Sequence, residues 1–160
     1  MQGDSELQDL YRDVLLDYFR SGTHKGKLDP ADIVGEGVNP LCGDSLLFTA
    51  TLKEGRLDGV KYQGHGCVIS QSSAAMMAET LVGKTPAEAE KLTTVFKAAM
   101  TGKGSFADFP EDLEELKALE GVAKYPVRIK CALLSWNTLL EGLKSLALGR
   151  KESAQYQETE

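Results

Sequence analysis

Two neighbouring segments of alternating polarity restrict most strongly what this chain can fold into. Residues 45–53 alternate with a period of two, and residues 57–63 return with the same period. Glu54 and Gly55, which separate them, are typical turn residues. The apolar positions that share one face are Leu46, Phe48, Ala50 and Leu52 in the first segment and Val60 and Tyr62 in the second. The pattern predicts a β-hairpin, and a further short strand is expected near Ile33 and Val34.

The other apolar residues recur at the three- and four-residue spacing of helices. This spacing predicts helices over residues 5–20, 71–82, 86–101, 111–119 and 126–148. Ser5, Ser70 and Thr85 are the expected N-caps, and Gly83 is expected to end a helix in left-handed geometry. In the last helix a single apolar face is expected, formed by Ile129, Leu133, Trp136, Leu140, Leu143 and Ala147.

Length and charge limit the class of protein. The 160 residues suit one domain, with an ordered core over about residues 5–149 and a polar C-terminal tail, 150–160, that is expected to fray. The net charge of −6 argues against nucleic acid as a partner, and no apolar run reaches the length of a membrane span. The N-terminus does not resemble a secretion signal, so a cytoplasmic location is expected, where cysteines stay reduced.

Three cysteines stand in neighbourhoods that suit a metal site. Cys42 is followed by Gly43 and Asp44, Cys67 precedes a predicted helix, and Cys131 lies in the first turns of the last helix. Helix N-termini lower the pKa of thiols, which favours the thiolate that a metal binds. If residues 42–44 are extended, Cys42 and Asp44 point to the same side. Three thiolates and a carboxylate would suit zinc or an iron-sulfur cluster, and Arg128 would offset their charge.

Other interpretations of these residues remain open at this point. A single cysteine is often a small buried hydrophobic residue, and an aspartate such as Asp44 is often a turn or cap residue. His65 could be a fourth ligand, a donor to a ligand or a surface residue, and His24 is expected to be solvated. Without a C-x-x-C pair, spacing alone does not settle the metal site.

Three segments of the chain resemble the signature segments of the IscU/NifU-like family. They are Asn39–Asp44, Gly64–Ala74 and Tyr125–Trp136, and the resemblance extends over about residues 7–148. It implies an α+β fold in which a small antiparallel sheet of about three strands packs against four to five helices. It also implies a metal site at one exposed end of the fold.

Within that family, two features resemble the SufU branch. Lys130 stands where IscU scaffolds usually carry a histidine, and the segment between Gly83 and Gly121 is longer than in those scaffolds. The resemblance implies that zinc is bound by Cys42, Asp44, Cys67 and Cys131.

The same resemblance implies a sulfurtransferase mechanism. Cys42 would accept sulfur from a SufS-like cysteine desulfurase after a histidine of that enzyme replaces it on zinc, and Arg128 would orient the site or the partner. The sulfur would then pass to a downstream scaffold of the SufB type.

Three functions follow as hypotheses from these residues. The first is a zinc-dependent sulfurtransferase that uses Cys42. The second is a scaffold that assembles a [2Fe-2S] cluster on Cys42, Asp44, Cys67 and Cys131. The third is a purely structural zinc domain, in which the metal site is closed to partners.

Overall fold

The computed structural model describes residues 2–150 and 153–158, with side chains from residue 9 onward. The elements in chain order are helix α1 (Gln2–Arg20), strands β1 (Ile33–Asn39), β2 (Asp44–Lys53) and β3 (Arg56–His65), helices α2 (Val68–Leu81) and α3 (Pro86–Met100), the 3₁₀ helices η1 (Phe106–Asp108) and η2 (Glu111–Lys124), helix α4 (Pro126–Ala147) and strand β4 (Ala154–Gln157). The fold is of the α+β class, as the sequence predicts. Helix α1 begins at Gln2, and the expected cap at Ser5 lies outside the residues whose side chains are described.

The predicted hairpin is present and forms the centre of the sheet. Strands β2 and β3 pair antiparallel, and β1 adds to β2 with Ile33 opposite Ala50 and Asn39 opposite Asp44. The expected short strand at residues 33–34 is therefore a strand of seven residues. The side chains of Leu46, Phe48 and Ala50 are buried on the core face, as their period of two predicts.

The polar tail was expected to fray, but its described residues 153–158 include a strand. Ala154–Gln157 pairs in parallel with β1, from Gly35 opposite Ala154 to Val38 opposite Gln157. The sheet is therefore mixed, with the order β3-β2-β1-β4, rather than a three-stranded antiparallel one. Ala154 is buried and Tyr156 packs against the core two residues later, which is the spacing that a strand needs to bury both.

Helix α3 begins as predicted and α2 does not. The side chain of Thr85 accepts a hydrogen bond from the Glu88 N–H, and Pro86 occupies the first turn of α3. Helix α2 starts three residues before the predicted residue 71, and its N-cap is Cys67 rather than Ser70. The φ angle of Gly83 is +87°, the left-handed geometry expected after α2.

The helix predicted over residues 111–119 is a 3₁₀ helix that extends to Lys124. Four of its buried apolar residues recur every third position, Leu113, Leu116, Leu119 and Val122, and Ala118 is buried next to Leu119. Three residues per turn is the repeat of the 3₁₀ helix, so this spacing places all four on one face against the core.

Helix α4 is buried on more than the single face predicted for it. Every residue from Cys131 to Leu139 is buried, whereas Ala147, assigned to the apolar face, is exposed. This half of the helix lies between β1 and α2, so polar side chains are enclosed as well. Thr138, for example, is fully buried and donates to the Leu134 carbonyl at 2.7 Å.

Among the described residues, no helix is long and apolar enough to cross a membrane.

Candidate metal centre

Three structural elements meet at one end of the sheet and bring the predicted site residues towards each other. The turn between β1 and β2 carries Cys42, and Asp44 is the first residue of β2. Cys67 stands at the N-terminus of α2, and Cys131 lies in the second turn of α4. Residues far apart in the chain come together because the turn between β1 and β2 and the N-termini of α2 and α4 lie at the same end of the sheet.

Cys42 lies on a turn over residues 40–43, so the condition that residues 42–44 are extended is not met. The Cys42 N–H donates to the Asn39 carbonyl at 3.2 Å, and the Leu41 N–H donates to the Asn39 side-chain oxygen at 3.2 Å. Gly43 has a φ of +71°, which a residue with a Cβ rarely adopts. The turn therefore places Cys42 and Asp44 together by reversing the chain.

Cys42, Asp44 and Cys131 form a compact group of possible ligands. One ligand atom from each lies within 4.8 Å of the other two. The Cys131 thiol donates to the Cys42 sulfur at 3.4 Å. Cys131 is fully buried, whereas Cys42 is partly exposed, so the group is closed towards α4 and open at the turn.

Asp44 supplies the evidence that the group suits a cation. Its carboxylate is 2% exposed, and its Oδ1 accepts a hydrogen bond from the Cys67 N–H at 3.0 Å. Its Oδ2 is buried and has no hydrogen-bond partner in the described chain. A buried carboxylate oxygen without a partner is costly, and a metal ion beside the two sulfurs would remove that cost. Two thiols and a carboxylate are donors that zinc accepts.

Gly66 is needed for the close approach of Asp44. A Cβ at this position would lie 2.3 Å from Asp44 Oδ1 and 2.6 Å from Ser70 Oγ. Any other residue would push the carboxylate away from the Cys67 N–H.

Cys67 lies beside this group rather than in it. Its sulfur accepts a hydrogen bond from the Ser70 N–H at 3.4 Å, as the cap of α2. Among the described residues, the group whose ligand atoms lie within 4.8 Å of one another contains Cys42, Asp44 and Cys131 but not Cys67. The structure therefore brings three of the four predicted ligands together and places the fourth at the adjacent helix end.

The surroundings of the centre shift the pKa values of Arg128 and Cys131. Negative charge on Cys67 and Cys131 would raise the pKa of the exposed Arg128 guanidinium. Burial raises the pKa of the Cys131 thiol, and the hydrogen bond with Cys42 raises it further. Without a cation, Cys131 therefore stays protonated, and a bound cation would be needed to hold it as a thiolate.

The two histidines take different positions from the cysteines. His65 is exposed, and its Nδ1 lies 3.2 Å from the Ser45 Oγ. His24, which was expected to be solvated, has a largely buried side chain whose Nε2 lies 2.7 Å from the Glu79 carboxylate. Neither belongs to the group around Asp44.

Two residues near the centre were missed by sequence reasoning. Asn39 is fully buried and shapes the Cys42 turn through its side-chain oxygen. An asparagine that precedes a proline and a glycine turn is the signal that could have identified it. Glu158, in the tail expected to fray, lies 3.9 Å from the Lys130 ammonium, next to Cys131 in the chain.

The fold and this centre define a class of protein: an α+β domain with cysteines and a carboxylate gathered at one end of its sheet. Residues 10–132 match the NifU-like N terminal domain model. The chain belongs to the NifU-like N-terminal domain family, whose relatives include iron-sulfur cluster assembly proteins.

Two relatives illustrate the range within the family. The chain is 38% identical over 143 residues to the zinc-dependent sulfurtransferase SufU of Bacillus subtilis, covering 89% of this chain and 95% of that protein. It is 37% identical, also over 143 residues, to the iron-sulfur cluster assembly scaffold protein IscU of Streptococcus pyogenes, covering 89% of this chain and 88% of that protein.

Solved structures agree on the fold. FiSufU, of the SUF system of Fervidobacterium islandicum, superposes with a TM-score of 0.74 at 35% identity, covering 81% of this chain and 93% of that one. The N-terminal part of a NifU-like protein from Brucella abortus gives a TM-score of 0.79 at 19% identity, covering 88% and 96%, which supports the fold alone.

Proposed function

We propose that this protein is a zinc-bound sulfur acceptor in iron-sulfur cluster assembly, which takes persulfide sulfur from a cysteine desulfurase through Cys42. One observation carries the proposal: the partly exposed sulfur of Cys42 lies beside the buried Asp44 and Cys131. Such a site is closed on the protein side and open at one ligand, the arrangement that a reactive metal site needs.

The proposed zinc ligands are Cys42, Asp44, Cys131 and Cys67. Bound zinc would keep these thiols deprotonated at neutral pH. Asp44 has a free buried oxygen for the ion, and its other oxygen is held by the Cys67 N–H. Cys67 would have to turn its sulfur from the Ser70 N–H towards the group.

Cys42 is the proposed nucleophile because it is partly exposed on a turn, whereas Cys131 is buried and Cys67 caps α2. Its thiolate attacks the outer sulfur of a persulfide on the donor, and a new sulfur–sulfur bond forms on Cys42. The bond within the donor persulfide breaks, and its electron pair leaves with the donor cysteine as a thiolate. The exposed Arg128, which lies on α4 three residues before Cys131, would stabilise the anionic sulfur as it moves.

The donor would be a SufS-like cysteine desulfurase, and a SufB-like scaffold would receive the sulfur. Both partners, and a reducing cytoplasmic setting for the free thiols, belong to this proposal. The similarity to SufU over most of both chains supports the choice.

The alternative is a scaffold that assembles a [2Fe-2S] cluster on Cys42, Asp44, Cys67 and Cys131. The nearly equal similarity to the Streptococcus pyogenes IscU scaffold favours it. Anaerobic incubation with iron and sulfide distinguishes the two. A visible absorption that survives desalting supports the scaffold, and a colourless zinc-loaded protein supports the sulfur acceptor.

The decisive experiment measures stimulation of a cysteine desulfurase by the zinc-loaded protein and by Cys42→Ala. We expect one zinc per chain in the unaltered protein, and loss of at least about 100-fold of the stimulation in the variant, the usual scale for removing a nucleophile. Normal stimulation by Cys42→Ala would show that the proposed mechanism is wrong. Retained helical circular dichroism after zinc removal would exclude a purely structural role for the metal.

A further inference from the structure

A groove of about 720 Å³ opens beside the cysteine end of the molecule. Its walls come from α1, from the last part of η2 and from the start of α4, and Ile69 of α2 also lines it. Much of the lining is apolar and includes Leu15, Ile69 and Val122. Tyr125, which is 62% exposed, also lines the groove. A groove of this size between helices is wide enough for the side chains of a partner segment.

The rim of the groove has the opposite charge to the rest of the chain. Among the residues whose side chains are described, Arg12, Lys124 and Arg128 line it together with one acidic residue, Glu120, although the net charge of the chain is −6. The Arg12 guanidinium lies 3.4 Å from the Asp9 carboxylate in an ion pair, and both side chains are mostly exposed. Lys124 forms no ion pair with any residue in the described ranges, so its charge is available to a partner.

The groove is continuous with the cysteine centre. Arg128 lines the groove and lies on α4 three residues before Cys131. Ile69, another lining residue, follows Cys67 by two positions at the start of α2. A protein that occupies the groove would therefore also stand next to Cys42.

We propose that this groove docks an acidic amphipathic segment of the persulfide donor, and this inference rests on the proposed function. The apolar face of such a segment would fill the space over Leu15 and Val122, and its carboxylates would meet Lys124 and Arg12. Apolar anchors in a groove give affinity, while the charged rim steers the partner and fixes its orientation. Docking here sets the donor persulfide against the exposed side of the cysteine centre.

The test compares two variants that make the same change of charge. Lys124→Glu reverses a charge in the groove, and Lys53→Glu reverses an exposed one at the opposite end of β2 from Asp44. For each, the concentration that half-saturates stimulation of the desulfurase is measured at low and at high salt, with zinc content and circular dichroism as controls for folding. We expect Lys124→Glu to raise that concentration about tenfold at low salt, with little change in the rate at saturation. Lys53→Glu should change it less than about twofold.

A cross-linking experiment identifies the occupant directly. A photoreactive benzoylphenylalanine in place of Tyr125 should cross-link to the desulfurase, and the cross-linked peptide should be rich in acidic and apolar residues. Equal responses of the two lysine variants, or cross-linking to a basic or purely polar segment, would overturn the docking proposal. So would binding of the groove to anionic phosphatidylglycerol vesicles with no binding to the desulfurase.

The outcomes separate this inference from the proposed function. If stimulation depends on Cys42 but not on Lys124, the groove proposal fails and the sulfur-acceptor function stands. If Lys124→Glu weakens binding while Cys42→Ala stimulates normally, the groove stands and the function fails.

Discussion

Cys42 and Cys131 have sulfurs 3.4 Å apart, yet the two regions that hold them differ in almost every physical respect. Cys42 lies on a four-residue turn, partly exposed, with Gly43 in left-handed geometry beside it. Cys131 is enclosed in the part of α4 that is buried on all sides. The centre therefore combines a buried half, suited to holding an ion, with a partly exposed half, suited to reaction.

The largest expected effect comes from removing the buried half. Cys131→Ala should lower zinc affinity about 100-fold, because no water can easily replace the lost sulfur inside the protein, whereas Cys42→Ala should lower it only about tenfold, since water can take the exposed position. Competition with a chromogenic chelator measures both affinities. Equal losses in the two variants would mean that the centre has no distinct buried half.

Alkylation of the metal-free protein compares the accessibility of Cys42 and Cys131 directly. At about pH 8, iodoacetamide should modify Cys42 more than tenfold faster than Cys131, because Cys131 is buried and its raised pKa keeps it protonated. Mass spectrometry of peptides after timed quenching gives the two rates. Full modification of Cys131 at the rate of Cys42 would show that α4 opens readily at this point.

Gly66→Ala tests the approach of Asp44 to the two cysteines. The new methyl group would meet Asp44 Oδ1 at 2.3 Å, so we expect zinc affinity to fall about tenfold and the free energy of unfolding to fall by about 1–3 kcal/mol. Gly121→Ala is the matched control, because a Cβ there meets nothing within 4 Å. Chelator competition and urea unfolding provide the values, and an unchanged affinity in Gly66→Ala would argue against Asp44 as a ligand.

The smallest expected effect concerns the turn that carries Cys42. Asn39→Ala removes the acceptor of the Leu41 N–H and should lower zinc affinity about threefold, at a cost of about 1 kcal/mol in stability. Asn39→Ser retains an oxygen that can accept from the same N–H and should recover part of the affinity. If both variants lose equally, the side chain serves packing rather than the shape of the turn.

Sequence reasoning reached the hairpin, the Thr85 cap and the fold class because these depend on local spacing and on a resemblance over most of the chain. It assigned α4 one apolar face because periodicity cannot show how many neighbours a helix will have. Ser135 and Thr138 are polar but buried, because the part of α4 that carries them packs against both β1 and α2. Tertiary packing, rather than local pattern, decides such positions.

The same limit applies to the candidate centre. The four residues were identified from the sequence, but the sequence could not show that Cys67 caps α2 while the other three converge. Nor could it show the turn at Gly43, because the sequence left open whether residues 42–44 are extended. Both the position of Cys67 and the shape of the Cys42 turn depend on how elements distant in the chain pack together. Ligation by these four residues stays a prediction until metal analysis tests it.

Strand β4 runs parallel to β1 and therefore ends beside the cysteines, with the Glu158 N–H donating to the Val38 carbonyl at 2.9 Å. A purification tag or fluorescent protein fused downstream of this strand would emerge next to the Cys42 turn. For studies of sulfur delivery, the protein is better labelled at the hairpin tip around Glu54, at the far end of the sheet.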